Sequence, residues 1–165
     1  MSENTGEKNP RNLAKKTHEM LVGLSTKDSL TGLFNRKGWD QEVRRTQKVS
    51  ERTHQQFSFL VIDLDKFKEI NDKSGHEKGD EILVRFSNFL KGQVRSIDSI
   101  ARYGGDEFTV LMPATDIGGA EKVKTKLIES GKATGIEFSI GSGITFEEAD
   151  KAMYKMKNQS NNPNV

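Results

Sequence analysis

The chain has no cysteine among its 165 residues, three prolines, one tryptophan and no long apolar run. Without cysteine there is no disulfide framework, no thiolate metal site and no thiol nucleophile, and a reducing, cytoplasmic setting is expected. The longest apolar stretch, Phe57-Ser58-Phe59-Leu60-Val61-Ile62, is far short of the ~20 residues a membrane-spanning helix needs. Residues 1–10 are polar with no apolar segment behind their charges, which argues against a secretory signal and reads as a loose tail. An excess of one charge is also lacking. Lys and Arg number 26 against 24 Asp and Glu, a net charge of +2, too balanced for a nucleic-acid coat or a polybasic membrane anchor. Neither nucleic acid nor membrane is expected as a partner, so function must be read from local constellations.

What is present fits one domain, which at this size buries roughly 70% of the surface of its unfolded chain. Residues 11–26 carry a thin apolar stripe (Leu13, Met20, Leu21, Leu24) and read as a lead-in helix that packs on the domain or pairs with a second copy. The folded domain is expected over 27–158 and a frayed, amide-rich tail over 159–165. A glycine turn at Asp28 to Leu33 precedes a charged surface helix from Arg36 to Thr53. Phe57 to Ile62 reads as a strand buried on both faces, ending at Asp63. A short helical piece then breaks at Lys73-Ser74-Gly75-His76, and Glu77 to Val94 carries Ile82, Leu83, Phe86, Phe89 and Leu90 at helical spacing. Ser99 to Tyr103 and Glu107 to Met112 read as a hairpin turning at Gly104-Gly105-Asp106. Asp116 is placed to cap a helix running to Ser130; a strand over Ile136 to Ile144 and a helix over Phe146 to Lys157 complete the chain. The class is α+β, an α/β sandwich whose sheet is mixed or antiparallel.

Chemistry points to the carboxylates. Asp63 at the end of an apolar strand is costly without a cationic partner. If the strand neighbours the hairpin, Asp63 and Asp106 converge, and hard oxygens of this kind suit Mg²⁺ held by one or two carboxylates plus phosphates. Taken singly, Asp63, Asp65 and Asp106 are also ordinary turn residues. The segment Phe67-Lys68-Glu69-Ile70-Asn71-Asp72 adds backbone N–H groups at a helix start and a mobile lysine, both suited to phosphate.

These pieces occur in a recognisable order. Asp28-Ser-Leu-Thr-Gly-Leu-Phe-Asn-Arg36, Asp63-Leu-Asp-Lys-Phe-Lys-Glu-Ile-Asn-Asp72, Gly75-His-Glu-Lys-Gly-Asp80, Arg102-Tyr-Gly-Gly-Asp-Glu-Phe108, Ser139-Ile-Gly141 and Ala149-Asp-Lys-Ala-Met-Tyr154 together resemble the GGDEF family of diguanylate cyclases. The resemblance implies the palm-like fold of nucleotide cyclases, a central, mostly antiparallel sheet flanked by helices. It also implies condensation of two GTP into cyclic di-GMP and two pyrophosphates. By similarity Asp63, Asp106 and the Leu64 carbonyl would bind Mg²⁺, or Mn²⁺ in its place. Asn71 and Asp80 would hold the guanine edge, with Phe67 and Lys157 also in the substrate site. Asp106 or Glu107 would assist deprotonation, and Lys68 would offset charge on the phosphates. A carboxylate facing the guanine N1–H and N2–H₂ pair selects against adenine, which lacks that pair of donors. One domain holds one GTP, so the reaction implies at least a transient homodimer. Arg95-x-x-Asp98 stands where the family carries a product-inhibition site for cyclic di-GMP; its bland reading is a surface ion pair.

The sequence departs from the family twice. Asn161 stands where an arginine would clamp phosphate bidentately, and the stretch between Gly141 and Ala149 is short, which is expected to loosen the last helix and Lys157 with it. A catalytically silent effector that binds GTP or cyclic di-GMP is the alternative; such a protein is expected to have lost a signature acid, and this chain keeps both. His76 reads as a turn residue, Trp39, Phe86, Phe89 and Phe138 as core, and Lys122, Lys124 and Lys126 as a wet helix face.

Overall fold

A computed structural model of the protein describes residues 25–161. Of the expected lead-in helix only Ser25 and Thr26 are described, and they are not helical; residues 1–24 and 162–165, with the expected tails, lie outside the described residues. The turn from Lys27 to Phe34 closes through Gly32, whose φ of 69° suits glycine. Asn35 then caps α1 (Arg36–Thr53) by accepting the Gly38 N–H at 2.9 Å. Gly38 has no room for a side chain, since a Cβ there would lie 2.2 Å from the Thr26 carbonyl oxygen.

After α1 come β1 (Phe57–Leu64), α2 (Phe67–Ser74), α3 (His76–Gln93), β2 (Ser99–Arg102), β3 (Glu107–Pro113), α4 (Ile117–Gly131), a short 3₁₀ turn, β4 (Phe138–Gly143) and α5 (Phe146–Asn161). The four strands form one sheet in the order β2-β3-β1-β4, every pair antiparallel. That resolves the mixed-or-antiparallel alternative. The apolar run becomes β1, with strands on both sides and helices on both faces, as expected of an uninterrupted hydrophobic strand.

Alternation along the strands sorts the core into two layers. Leu60, Ile62 and Leu64 of β1, with Phe108, Val110 and Met112 of β3, pack under α3 and α4 through Leu83, Phe86, Leu90, Ala120 and Leu127. Phe59 and Val61 face the other way, toward Trp39 of α1 and Ala149 and Met153 of α5. Full burial of each large side chain contributes about 1.5–3 kcal/mol, so the larger layer anchors the sheet. Asp116 caps α4 as expected, accepting the Gly119 N–H at 2.7 Å.

Three boundaries differ from the sequence reading by two residues or more. β1 does not stop before Asp63 but continues to Leu64, pairing Asp63 with Glu107 of β3 and Ser139 of β4. β4 begins at Phe138 rather than Ile136. The last helix runs past Lys157 to Asn161, so the expected frayed tail is helical for its first three residues, 159–161.

The last helix is not loosened by its short connection. Gly141 and Gly143 leave β4 bare under α5: a Cβ on Gly141 would lie 2.1 Å from both the Ala149 carbonyl and the Met153 nitrogen, and one on Gly143 2.5 Å from the Ala149 nitrogen. Backbone therefore packs on backbone, and α5 is seated firmly.

Candidate active site

The site is built where β1, β3 and β4 end together under α5. Asp63 is 6% exposed. Its cross-strand partner Glu107 opens β3, and the Leu64 N–H donates to the Asp106 carbonyl at 3.2 Å, which locks the Gly-Gly-Asp turn beside the end of β1. Asp63 and Asp106 thus converge as the sequence suggested. The cation that buried Asp63 requires is Lys157, whose Nζ donates to Asp63 Oδ1 at 2.5 Å across 94 residues of sequence.

One lysine does not balance this cluster. Burial and then the charge of Asp63 push Asp106 above the usual carboxylate range. Burial, Asp63 and Asp106 do the same to Glu107. Asp65, in the turn just past the end of β1, is raised by burial and by Asp63 although Ser139 Oγ donates to it at 2.8 Å. Burial works against the charge on Lys157, yet its hydrogen bond to Asp63 and the charges of Asp63, Asp106 and Asp65 raise its pKa. Acids crowded until they hold their protons more tightly make this a candidate place for a further cation. Among the described residues no group of three or more His, Asp or Glu side chains is arranged to enclose an ion. The donors at hand are two carboxylates and the Leu64 carbonyl, and they fit Mg²⁺, which keeps waters and phosphates as its other ligands, better than an ion needing a full protein cage.

A second group lies along α2 and α3. Gly79 has no room for a Cβ, which would come within 2.0 Å of Asn71 Oδ1 and 3.2 Å of the Phe67 ring. Gly79 thus packs against the Asn71 amide, and Asp80, the next residue of α3, is exposed. Lys68 is exposed on the first turn of α2. Phe67 is 9% exposed and belongs to the larger core layer, so it holds α2 in place rather than standing open to solvent. A half-open cavity of about 310 Å³ lies behind α2, lined by Phe67, Ile70, Ile82, Ile136 and the Lys66–Glu137 pair; it contains none of Asp63, Asp106, Asn71 or Asp80.

Arg95 and Asp98 lie apart from both groups. They form a one-to-one ion pair at 2.8 Å, with the Asp98 side chain 1% exposed and Arg95 also donating to Thr115 Oγ1 at 2.6 Å and the Pro113 carbonyl at 3.2 Å.

Sequence reasoning missed three contacts. It sent Lys157 to phosphate and not to Asp63, it gave Asp65 no partner, and it gave Arg102 no role. The Arg102 guanidinium donates twice to the Gly105 carbonyl, at 3.0 and 2.7 Å, and meets Asp28 at 3.4 Å, bracing the turn that carries Asp106. The spacing Asp63-x-Asp65 was the one signal available, because residues two apart share a face of a strand.

A sheet ordered β2-β3-β1-β4, with acids meeting at the junction of its two central strands, is the layout of a palm-type nucleotide-cyclase domain. The family model described as diguanylate cyclase, GGDEF domain, matches residues 25–163, and the chain belongs to the GGDEF family. It is 31% identical over 163 residues to the diguanylate cyclase DgcM of Escherichia coli, covering 90% of this chain and 40% of that protein. The chain therefore spans less than half of that relative. The isolated GGDEF domain of TpbB (YfiN) from Pseudomonas aeruginosa superposes with a TM-score of 0.73 at 35% identity, covering 81% of this chain and 89% of that one. A microbial GGDEF domain described in its interaction with cyclic di-GMP matches with a TM-score of 0.69 at 32% identity, over 81% of this chain and 94% of that one. No helix among the described residues is long and apolar enough to cross a membrane.

Proposed function

We propose that the domain is an active diguanylate cyclase that joins two GTP into cyclic di-GMP and releases two pyrophosphates. The observation that carries the reading is the surplus of acid at the signature turn: buried Asp63 and half-buried Asp106 and Glu107 converge, and among the described residues Lys157 is the cation bonded to Asp63. A family member that only binds nucleotide has no need of acids held in mutual repulsion.

Each residue then has a task. Asp63, Asp106 and the Leu64 carbonyl hold a divalent ion, Mg²⁺ or Mn²⁺, which when bound lowers the pKa of the attacking hydroxyl and offsets phosphate charge. Asn71 and Asp80 take the guanine edge, Asp80 accepting from N1–H and N2–H₂. Phe67 fixes the helix that carries Asn71, Lys68 lies beside the phosphates, and Lys157 takes a phosphate oxygen. The 3′-oxygen of one GTP attacks the α-phosphorus of the other, the bond to the β-phosphate breaks, and the hydroxyl proton passes to Asp106 or Glu107. Because each domain holds one GTP, two copies face each other in a homodimer, at least transiently. Arg95 and Asp98 grip cyclic di-GMP as a feedback inhibitor, a role that rests on their spacing from the signature; binding of that nucleotide is described for a related GGDEF domain.

The test is to incubate the purified protein with GTP and Mg²⁺ and separate the products by chromatography, with Asp106→Ala alongside. Cyclic di-GMP from the wild type and none from the variant is the expected result. No product from concentrated, product-free wild type transfers the reading to a silent effector, with Asn161, standing in place of an arginine, as the first residue to replace.

A further inference from the structure

The contact between Lys157 and Asp63 has a consequence for how the site fills. The ammonium lies 2.5 Å from Oδ1 of a carboxylate only 9% exposed, and Lys157 itself is 30% exposed. It is held there by α5, whose backbone rests directly on β4 at Gly141 and Gly143. An ion ligated by the same oxygen would stand ~2.0–2.1 Å away. Two cations on that oxygen would repel strongly, so an ion that ligates through Oδ1 drives the ammonium off. The long, flexible lysine stem permits this without movement of α5.

We propose that Lys157 is the resident counter-ion of the acid cluster, that a divalent ion must displace it from Asp63, and that the nucleotide favours this exchange by offering the displaced ammonium a phosphate. The inference rests on the reading that the domain binds GTP with a divalent ion. Ion and nucleotide then bind cooperatively: either one alone meets an acid cluster already partly satisfied or a lysine already engaged, and each improves the affinity for the other by the same factor. The acids themselves reinforce the lock, since Asp106 and Asp65 as well as Asp63 attract the ammonium.

The experiment is a Mn²⁺ binding isotherm on the full chain, with and without 3′-deoxy-GTP, which lacks the attacking hydroxyl. Lys157→Met and Lys157→Gln are compared with Lys155→Met, an exposed lysine on the same helix. Both Lys157 variants are expected to bind Mn²⁺ alone more tightly than the wild type, by a factor within the ~5- to 150-fold range of coupled sites. In both, 3′-deoxy-GTP should improve Mn²⁺ affinity less than it does in the wild type. Lys155→Met removes the same charge where solvent screens it and stays near the wild type. If the Lys157 variants bind Mn²⁺ no more tightly than Lys155→Met does, the counter-ion proposal is overturned while the cyclase reading stands. A wild type that binds no Mn²⁺ even with 3′-deoxy-GTP overturns both.

Discussion

Two ion-paired sites in this domain differ in their arithmetic of charge. At the end of β1, Asp63, Asp65, Asp106 and Glu107 share one directly bonded lysine, and three of the four are pushed above the ordinary carboxylate range by burial and by one another. At the far side of the domain Arg95 and Asp98 pair one to one, and the arginine's remaining donor capacity goes to Pro113 and Thr115. The first site carries more acid than its bonded lysine offsets, whereas the second is balanced one to one. A cyclic di-GMP bound at Arg95 would have to exchange for contacts already made, whereas a cation at Asp63 and Asp106 relieves a strain already present.

The largest expected effect comes from unseating the first site without touching its charges. In Gly141→Ala the new Cβ would meet backbone atoms of α5 at 2.1 Å on two sides, and backbone cannot step aside as a flexible side chain does. The loss should reach the ~3 kcal/mol upper end of overpacking costs, read as a drop in the denaturant midpoint. Lys157 should part from Asp63 as α5 lifts. An unchanged midpoint would mean that α5 floats on the sheet, and that the contact with Asp63 is incidental to the packing.

Arg95→Ala tests the balanced site and should do less. Asp98, with its side chain 1% exposed, keeps the Arg95 backbone N–H at 2.8 Å but loses the guanidinium, so about 1–2 kcal/mol of stability is expected to go, in line with a buried acceptor left partly unsatisfied. Early turnover should be unaffected, and synthesis should continue to product levels that stop the wild type. A variant as stable as the wild type would place this pair among the surface salt bridges that contribute almost nothing.

The contrast between the sites also marks how far the sequence could be read. Local signals were legible: the bounds of α1, Asp116 as a helix cap, the hairpin at Gly104-Gly105 and the buried character of β1 each depend on residues within a few positions of one another. Asp98 beside Arg95 was legible for the same reason. The partner of Asp63 was not, because Lys157 is 94 residues away and only the seating of α5 on two bare glycines brings it there. The same long-range contact explains why β1 runs on through Asp63. A carboxylate reads as a strand terminator when alone, but once neutralised it is tolerated inside the sheet. Asp65 and Ser139 meet only through the β1–β4 register, which periodicity within either strand does not specify.

The smallest effect concerns the strain itself. Asp106 has a folded-state pKa raised above the ordinary aspartate value of 3.8, by burial and then by Asp63. An acid raised on folding binds its proton more tightly in the native state, so the cost of its charge is absent below the unfolded value and grows in as pH rises through the folded one. Above the folded value that cost is fully present. Asp106→Asn removes it, so in chelator-treated protein the variant should melt at a higher temperature than the wild type near pH 7, and the gain should shrink to nothing as the pH approaches 4. The Arg95–Asp98 pair predicts no such pattern for Asp98→Asn, which removes a satisfied charge and should lower the melting temperature at neutral pH. If Asp106→Asn gains nothing at neutral pH, Lys157 alone satisfies the cluster and the two sites are alike; a gain that fades with acid means that the acids of the first site repel one another beyond what Lys157 offsets.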